Sequence, residues 1–319
     1  MSSPTRILIT GFGSIGRKHL ETAKQVFPEA EVAILKKTDS GEMPPDGVKL
    51  FRLPEEARNY SPKVVIVASP ATRHREDVEL FAGVAERMLL EKPLAASVTD
   101  ATSIGDTVRA SELRAIVGYN LRYFRPLALF REMLLGEEYG PLRRLECHVG
   151  QHLSQWRGGK DPFVSVSSRK DLGGGAFREL SHEIDYALWI CGSPSGVRAR
   201  ASRHLDYGDV EDCVDLWLDF DGGCHACIHL DMIDRSVRRT ARAVCERGTL
   251  ELDFLSSTLR VNGALLDIGS SDTVSETYER ELRDLCGDGQ NSPAATCEDG
   301  IAVLRVIEIA ERSLTGNLI

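Results

Sequence analysis

Three glycines at fixed spacing, Gly11-Phe12-Gly13-Ser14-Ile15-Gly16, follow directly on the apolar run Arg6-Ile7-Leu8-Ile9-Thr10 and open a helix-like stretch. A strand feeding such a turn and then a helix is the layout a dinucleotide pyrophosphate requires. The first glycine allows the tight turn, the second lets backbone approach the phosphates, and the third lets helix pack closely on strand. The helix N-terminus adds uncommitted N–H donors and the positive end of its dipole. Phe12, Ser14 and Ile15 complete the expected cofactor-binding turn.

With 319 residues, 42% hydrophobic and 27% charged, the chain is long enough to bury a large core and reads as one two-domain globular protein. Its longest apolar runs, such as Val64-Val65-Ile66-Val67-Ala68, are strand-sized, well short of the roughly 18 residues of a membrane span. Neither a membrane nor an export signal is expected, so the reading is cytoplasmic. A formal charge of −9 argues against sequence-independent nucleic-acid binding, which depends on clustered Lys and Arg. The eight cysteines read as a reduced thiol pool rather than a disulfide framework. Cys224-His225-Ala226-Cys227 follows a turn and enters an alternating strand. Residues three apart on a strand face opposite sides, so no metal is expected there.

Residues 5 to about 118 alternate strand and helix: 7–10, 14–27, 31–35, 64–68, 72–86, 87–90, 100–111 and 114–118. Such alternation predicts a parallel sheet covered by helices. In open α/β sheets ligands bind beyond the carboxyl ends of the strands. Ser69-Pro70 and Glu91-Lys92-Pro93 fall on that edge. After Tyr119 the strands lengthen and alternate with period two, at 142–150, 197–204, 213–220, 224–232, 240–246 and 250–254, which predicts a largely antiparallel sheet. Helices are expected at 126–135, 177–191, 276–286 and 297–315. The fold class is α/β, with an N-terminal Rossmann domain at 1–119 and a C-terminal α/β domain at 120–319.

Gly11 to Gly16, Glu91-Lys92-Pro93, Gly118-Tyr119-Asn120-Leu121-Arg122-Tyr123 and Gly173-Gly174-Gly175 with His182 occur in order. Together they resemble the glucose-fructose oxidoreductase / inositol 2-dehydrogenase / rhizopine-catabolism family, Gfo/Idh/MocA, over almost the whole chain. The segment from Trp156-Arg157 through Ser165-Val166-Ser167 to Leu180-Ser181-His182-Glu183-Ile184-Asp185-Tyr186 looks like a subgroup associated with bacterial surface-glycan gene clusters, beside sialic-acid-like sugars. The resemblance implies a nicotinamide-dependent oxidoreductase acting on a hydroxyl or ketone carbon of a sugar, polyol or nucleotide-sugar. It also implies an open C-terminal sheet suited to a homodimer or homotetramer. Two alternatives stay open: redox-neutral sugar chemistry on a bound cofactor, and a non-catalytic cofactor-binding regulator.

Hydride transfer at a carbinol needs a group that takes the hydroxyl proton and one that holds the developing alkoxide. By the resemblance Lys92 contacts the substrate hydroxyl, with a peptide bond before Pro93 that is often cis, and His182 matches the active-site histidine. Glu179 stands where the commoner pattern has aspartate, three residues before His182 rather than four. It is open to orienting His182, bonding substrate or being solvated, and Asp185 is a rival partner. The triple glycine fits a closing loop and a helix entry equally. Asn120, Arg122, Tyr123, Trp156, Arg157, Arg169 and Asp185 are candidate substrate contacts, the arginine forks suiting an anionic sugar or nucleotide-sugar. His74 falls near the cofactor and reads as a packing or capping residue. At the end of the second strand, where an NAD-selective site carries an acid, stand Lys36-Lys37. NADP(H) is therefore expected over NAD(H), with Thr38 or Ser40 as further donors and Asp39 as the contrary residue.

Overall fold

The computed structural model describes residues 4–38, 43–159, 166–206, 209–269 and 272–314, with side chains for all of these except 157–159 and 166. The chain divides into two compact units, Met1–Asn120 with Ser275–Ile301, and Leu121–Val274 with Ala302–Ile319. The stretch from Ser275 thus returns to the first unit.

Strands of the first unit are nearly continuous in aliphatic residues, as a sheet covered on both faces demands. They are β1 (Arg6–Thr10), β2 (Glu31–Leu35), β3 (Lys49–Phe51), β4 (Val64–Val67), β5 (Arg87–Leu90) and β6 (Arg114–Val117). All neighbours run parallel in the order β3-β2-β1-β4-β5-β6. This is the doubly wound order whose switch point lies between β1 and β4. The helices are α1 (Ser14–Val26), α2 (Pro54–Asn59), α3 (His74–Phe81) and α4 (Val98–Ala110). Helix α3 stops well before residue 86, ahead of Gly83, a residue that favours helix least after proline.

The second unit holds α5 (Arg125–Leu135), α6 (Ala176–Glu179) and α7 (His182–Cys191). Its strands are β7 (Leu142–Gly150), β8 (Gly196–Ser202), β9 (Cys213–Asp219), β10 (His225–Asp231), β11 (Arg238–Cys245), β12 (Thr249–Asp253), β13 (Thr258–Val261) and β14 (Ala264–Leu265). The sheet order is β14-β13-β12-β11-β7-β10-β9-β8, antiparallel except for the parallel pair β7–β10. Helices α5 and α7 pack on one face. Burial alternates along β7, β9 and β10, which leaves the other face more open.

Two further helices are α8 (Val274–Cys286) and α9 (Cys297–Ser313). Leu282 and Leu285 of α8 join Ile7, Ile9, Val32, Ile34, Val64 and Ile66 in one core. That packing makes α8 part of the first unit.

One helix expected at 177–191 is instead two. At Leu180 the backbone leaves helical geometry (φ −104°, ψ 26°), and Leu180 and Ser181 are both buried in the resulting turn. Glu179 therefore ends α6 while His182 begins α7, and the two do not share a helical face.

Candidate active site

The three glycines each meet a different constraint. Gly11 has φ +84°, and a Cβ there would lie 2.6 Å from the carbonyl oxygen of Ala68, at the end of β4. Gly16 would press a Cβ to 2.5 Å from the Gly11 oxygen, so only glycine lets α1 sit this close to the turn. Gly13 has nothing within 4 Å of its would-be Cβ. It is the N-cap of α1, supplies no side-chain cap, and is followed by a first turn without an acidic residue. Open space in front of uncapped amides suits an incoming phosphate. Phe12 is buried, Ile15 packs against the core from a partly buried position, and Ser14 is exposed.

Beside this turn Asp77, fully buried in the first turn of α3, gathers three donors. Its Oδ2 accepts from Thr10 Oγ1 at 2.7 Å and from Ser69 Oγ at 2.8 Å, and its Oδ1 accepts from Lys37 Nζ at 2.9 Å. Asp77 thereby ties the ends of β1, β2 and β4 together. Lys37 is thus ion-paired, while Lys36 is only 5% exposed, so neither cation projects freely as the sequence suggested. Arg52, which sequence reasoning missed, follows β3 and donates to the carbonyl oxygens of Lys36 (3.1 Å) and Thr38 (2.7 Å). Ser40 and Asp39 lie outside the described residues.

His74 is buried and bridges two turns, Nε2 at 2.8 Å from the Ser69 carbonyl and Nδ1 at 3.1 Å from that of Leu94. Pro70 is half-buried at the first of these turns. Glu91 Oε1 lies 2.6 Å from His19 Nε2, and its Oε2 accepts the Lys92 amide at 3.1 Å. The Lys92–Pro93 bond is cis, and Lys92 itself is half-buried. Behind Glu91, Glu281 of α8 is fully buried with no hydrogen-bond partner among the described residues. Burial first, then the neighbouring Glu91, pushes its carboxyl well above the usual range. Asn120 Nδ2 donates to Thr277 Oγ1 at 2.6 Å, which ties the end of this unit's continuous stretch to α8.

In the second unit the triple glycine is a buried helix entry. Gly173 (φ +82°) and Gly175 (φ +104°) both need left-handed backbone, and a Gly175 Cβ would fall 2.4 Å from Glu211 Oε1. Glu211 in turn accepts the Phe177 amide at 3.1 Å, and its backbone oxygen accepts that of Ala176 at 3.0 Å. Burial raises the Glu211 carboxyl to about 6.

Two of the three candidate arginines already have carboxylate partners. Arg122 donates Nε to Asp185 Oδ2 at 3.0 Å and an Nη to Oδ1 at 2.7 Å, both side chains almost wholly buried, with the guanidinium 5.3 Å from the Trp189 ring. A bidentate buried pair occupies the fork that was to hold a substrate anion. Arg169 pairs locally with Asp171 at 3.0 and 2.6 Å on the surface. Trp156 donates to the Gln151 carbonyl at 3.2 Å from a half-buried position, and Tyr123 is buried. The Arg157 side chain and Ser165 lie outside the described residues. Cys224 Sγ lies 4.0 Å from the His225 carbonyl oxygen, just before β10, whereas Cys227 lines the open face of the sheet.

Residues 5–119 match the model "Oxidoreductase family, NAD-binding Rossmann fold", and residues 127–251 match the "GFO/IDH/MocA C-terminal domain". Over 213 residues the chain is 28% identical to glucose-6-phosphate 3-dehydrogenase of Bacillus subtilis (strain 168), covering 63% of this chain and 58% of that protein. It is 20% identical to scyllo-inositol 2-dehydrogenase (NADP(+)) of the same strain, over 97% of this chain and 93% of that one. The crystal structure of GenD2 from gentamicin A biosynthesis, in complex with NAD, superposes with a TM-score of 0.81 at 18% identity, covering 99% and 95%. No described helix is long and apolar enough to cross a membrane.

Proposed function

Because the chain belongs to the Gfo/Idh/MocA oxidoreductase family, we propose that it transfers a hydride between a nicotinamide dinucleotide and a carbinol or ketone carbon of a sugar or polyol. The observation that carries this reading is the β1–α1 turn, where Gly11 and Gly16 are sterically obligatory and Gly13 opens on empty space. When bound, the nicotinamide supplies or accepts the hydride. Lys92, fixed after β5 by Glu91 and the following proline, lowers the pKa of the substrate hydroxyl or polarises the ketone in reverse. His182, at the first turn of α7, exchanges the proton. Glu179 serves this chemistry only from its own short helix.

NADP(H) is the proposed cofactor. Support comes from the lack of a carboxylate at Leu35, Lys36 and Lys37, and from Arg52 spanning the backbone at Lys36 and Thr38. An arginine fork there matches a ribose 2′-phosphate. We also propose a homo-oligomer, which light scattering tests. The functional test is a fluorescence titration of cofactor-stripped protein with NADPH and NADH, followed by a screen of polyols and keto-sugars with the preferred cofactor. Binding of neither nucleotide by folded protein would sink the proposal.

A further inference from the structure

On the open face of the second unit's sheet, three adjacent strands bring polar side chains into one row. Register pairs His148 of β7 with His229 of β10, and His229 with Asp215 of β9. Asp231 lies two residues beyond His229, on the same face by the period of the strand. Cys147, one residue before His148, points the other way, toward Tyr186 of α7. His148, His229 and Asp215 line an open concavity of ≈ 650 Å³.

We infer that this face holds a site for a first-row divalent transition cation, ligated by His148, His229 and Asp231. One ligand atom from each of the three lies within 4.8 Å of the others. The imidazoles are stacked with centroids 4.7 Å apart and planes 25° apart. His229 Nε2 is 3.0 Å from Asp231 Oδ2, close to the roughly 3.3 Å between two ligands of a tetrahedral ion with bonds of about 2.0–2.1 Å. Two imidazoles and one carboxylate are a donor set that zinc and its neighbours take, with water completing the shell.

Three independent features fit this reading. His148 Nε2 is a buried nitrogen with no hydrogen-bond partner among the described residues, and donating its lone pair to a metal ion would satisfy it. His229 Nδ1 sits 2.7 Å from Asp215 Oδ1, the carboxylate–histidine arrangement that orients a ligating imidazole through its other nitrogen. Asp231 Oδ1 accepts the amides of Ile233 and Asp234 at 2.9 and 2.7 Å, while a Cβ on Gly150 would fall 2.6 Å from Oδ2. Glycine at 150 thus makes room for the carboxylate.

The test is a titration of chelator-stripped protein with Co²⁺, read by visible absorption, and with Zn²⁺, read by calorimetry. The expected result is one equivalent bound without a thiolate charge-transfer band, at least tenfold weaker in His148→Ala and unchanged in Cys224→Ser. His148→Phe keeps a stacking ring but no ligand and is expected to behave as His148→Ala does. Circular dichroism and thermal melting serve as the check that each variant is folded. No binding, binding indifferent to both His148 variants, or a thiolate band abolished by Cys224→Ser would overturn the inference. None of these outcomes bears on the oxidoreductase proposal.

Discussion

Gly13→Ala and Gly16→Ala differ by one methyl each, three residues apart, and should fail in different ways. At Gly16 the added Cβ meets the Gly11 carbonyl at 2.5 Å, so α1 or the turn must move. Overpacking against backbone costs about 1–3 kcal/mol, against a gain of about 1 kcal/mol for alanine over glycine in a helix. The net is a fall in Tm of a few degrees with cofactor binding lost alongside. At Gly13 the methyl meets nothing within 4 Å, and φ −87° is ordinary for alanine. The stability cost is then only that of a poorer N-cap, about 1 kcal/mol at most. The methyl does stand where a pyrophosphate must come to reach the amides of α1. Losing one charge-assisted hydrogen bond of about 1.5–3 kcal/mol raises Kd roughly 10- to 150-fold. Thermal melting of the apo protein and a fluorescence titration with NADPH separate the two effects. If Gly13→Ala binds NADPH like the parent, the pyrophosphate does not lie at this helix N-terminus. If Gly16→Ala melts unchanged, the packing argument is wrong.

Other substitutions probe the remaining assignments. Arg52→Ala should weaken NADPH at least tenfold while leaving NADH within about twofold, since only the former carries a 2′-phosphate; equal losses for both cofactors would remove Arg52 from specificity. His182→Ala should lower turnover by roughly 10²- to 10⁴-fold with the NADPH Kd unchanged, and undiminished turnover would remove His182 from the proton step. Asp185→Ala leaves the buried Arg122 charge uncompensated, for a loss of about 3–5 kcal/mol in chemical denaturation. The carboxyl of Glu211 is raised to about 6 by burial, so the stability it lends is full at acid pH and lost as pH rises through 6. Glu211→Gln, which mimics the protonated form, should therefore gain on the parent by about 1–2 kcal/mol between pH 5 and pH 7.5; a gap independent of pH would place the titration elsewhere.

The parallel unit was legible because most of its strands are continuous aliphatic runs, several closed by glycine or proline, a signal that needs no tertiary information. β3 was not, since Lys49-Leu50-Phe51 is too short to show a period, and missing it hid Arg52. β13 and β14 are short hairpin strands at a sheet edge and were lost for the same reason. Leu282 and Leu285 give α8 an apolar face, but which unit receives that face depends on packing far along the chain. The break at Leu180 was also invisible, because residues 177–191 keep an apolar pattern through the turn. Of the candidate site, the glycines were readable to the role of each, since their constraint is local and steric. Asp77 was not: its three donors come from residues 10, 37 and 69, and only the fold assembles them.

That distinction bears on the substrate. Arginines were picked out by type, and type says that a guanidinium fork suits an anion. In the structure Arg122 is spent on Asp185, Arg169 on Asp171, Arg178 on Glu311 and Arg239 on Glu183. A fork already bidentate to a carboxylate binds a second anion only by releasing the first, and where the pair is buried this strands a charge. These four side chains therefore give no reason to prefer a charged sugar. The four pairs leave the choice between a neutral sugar and its uronate or phosphate to measurement. The comparison is kcat/KM for an inositol or neutral hexose against the matching acid and phosphate ester. A preference of tenfold or more for either charged form, lost at high salt, would show that a cation other than these four faces the substrate.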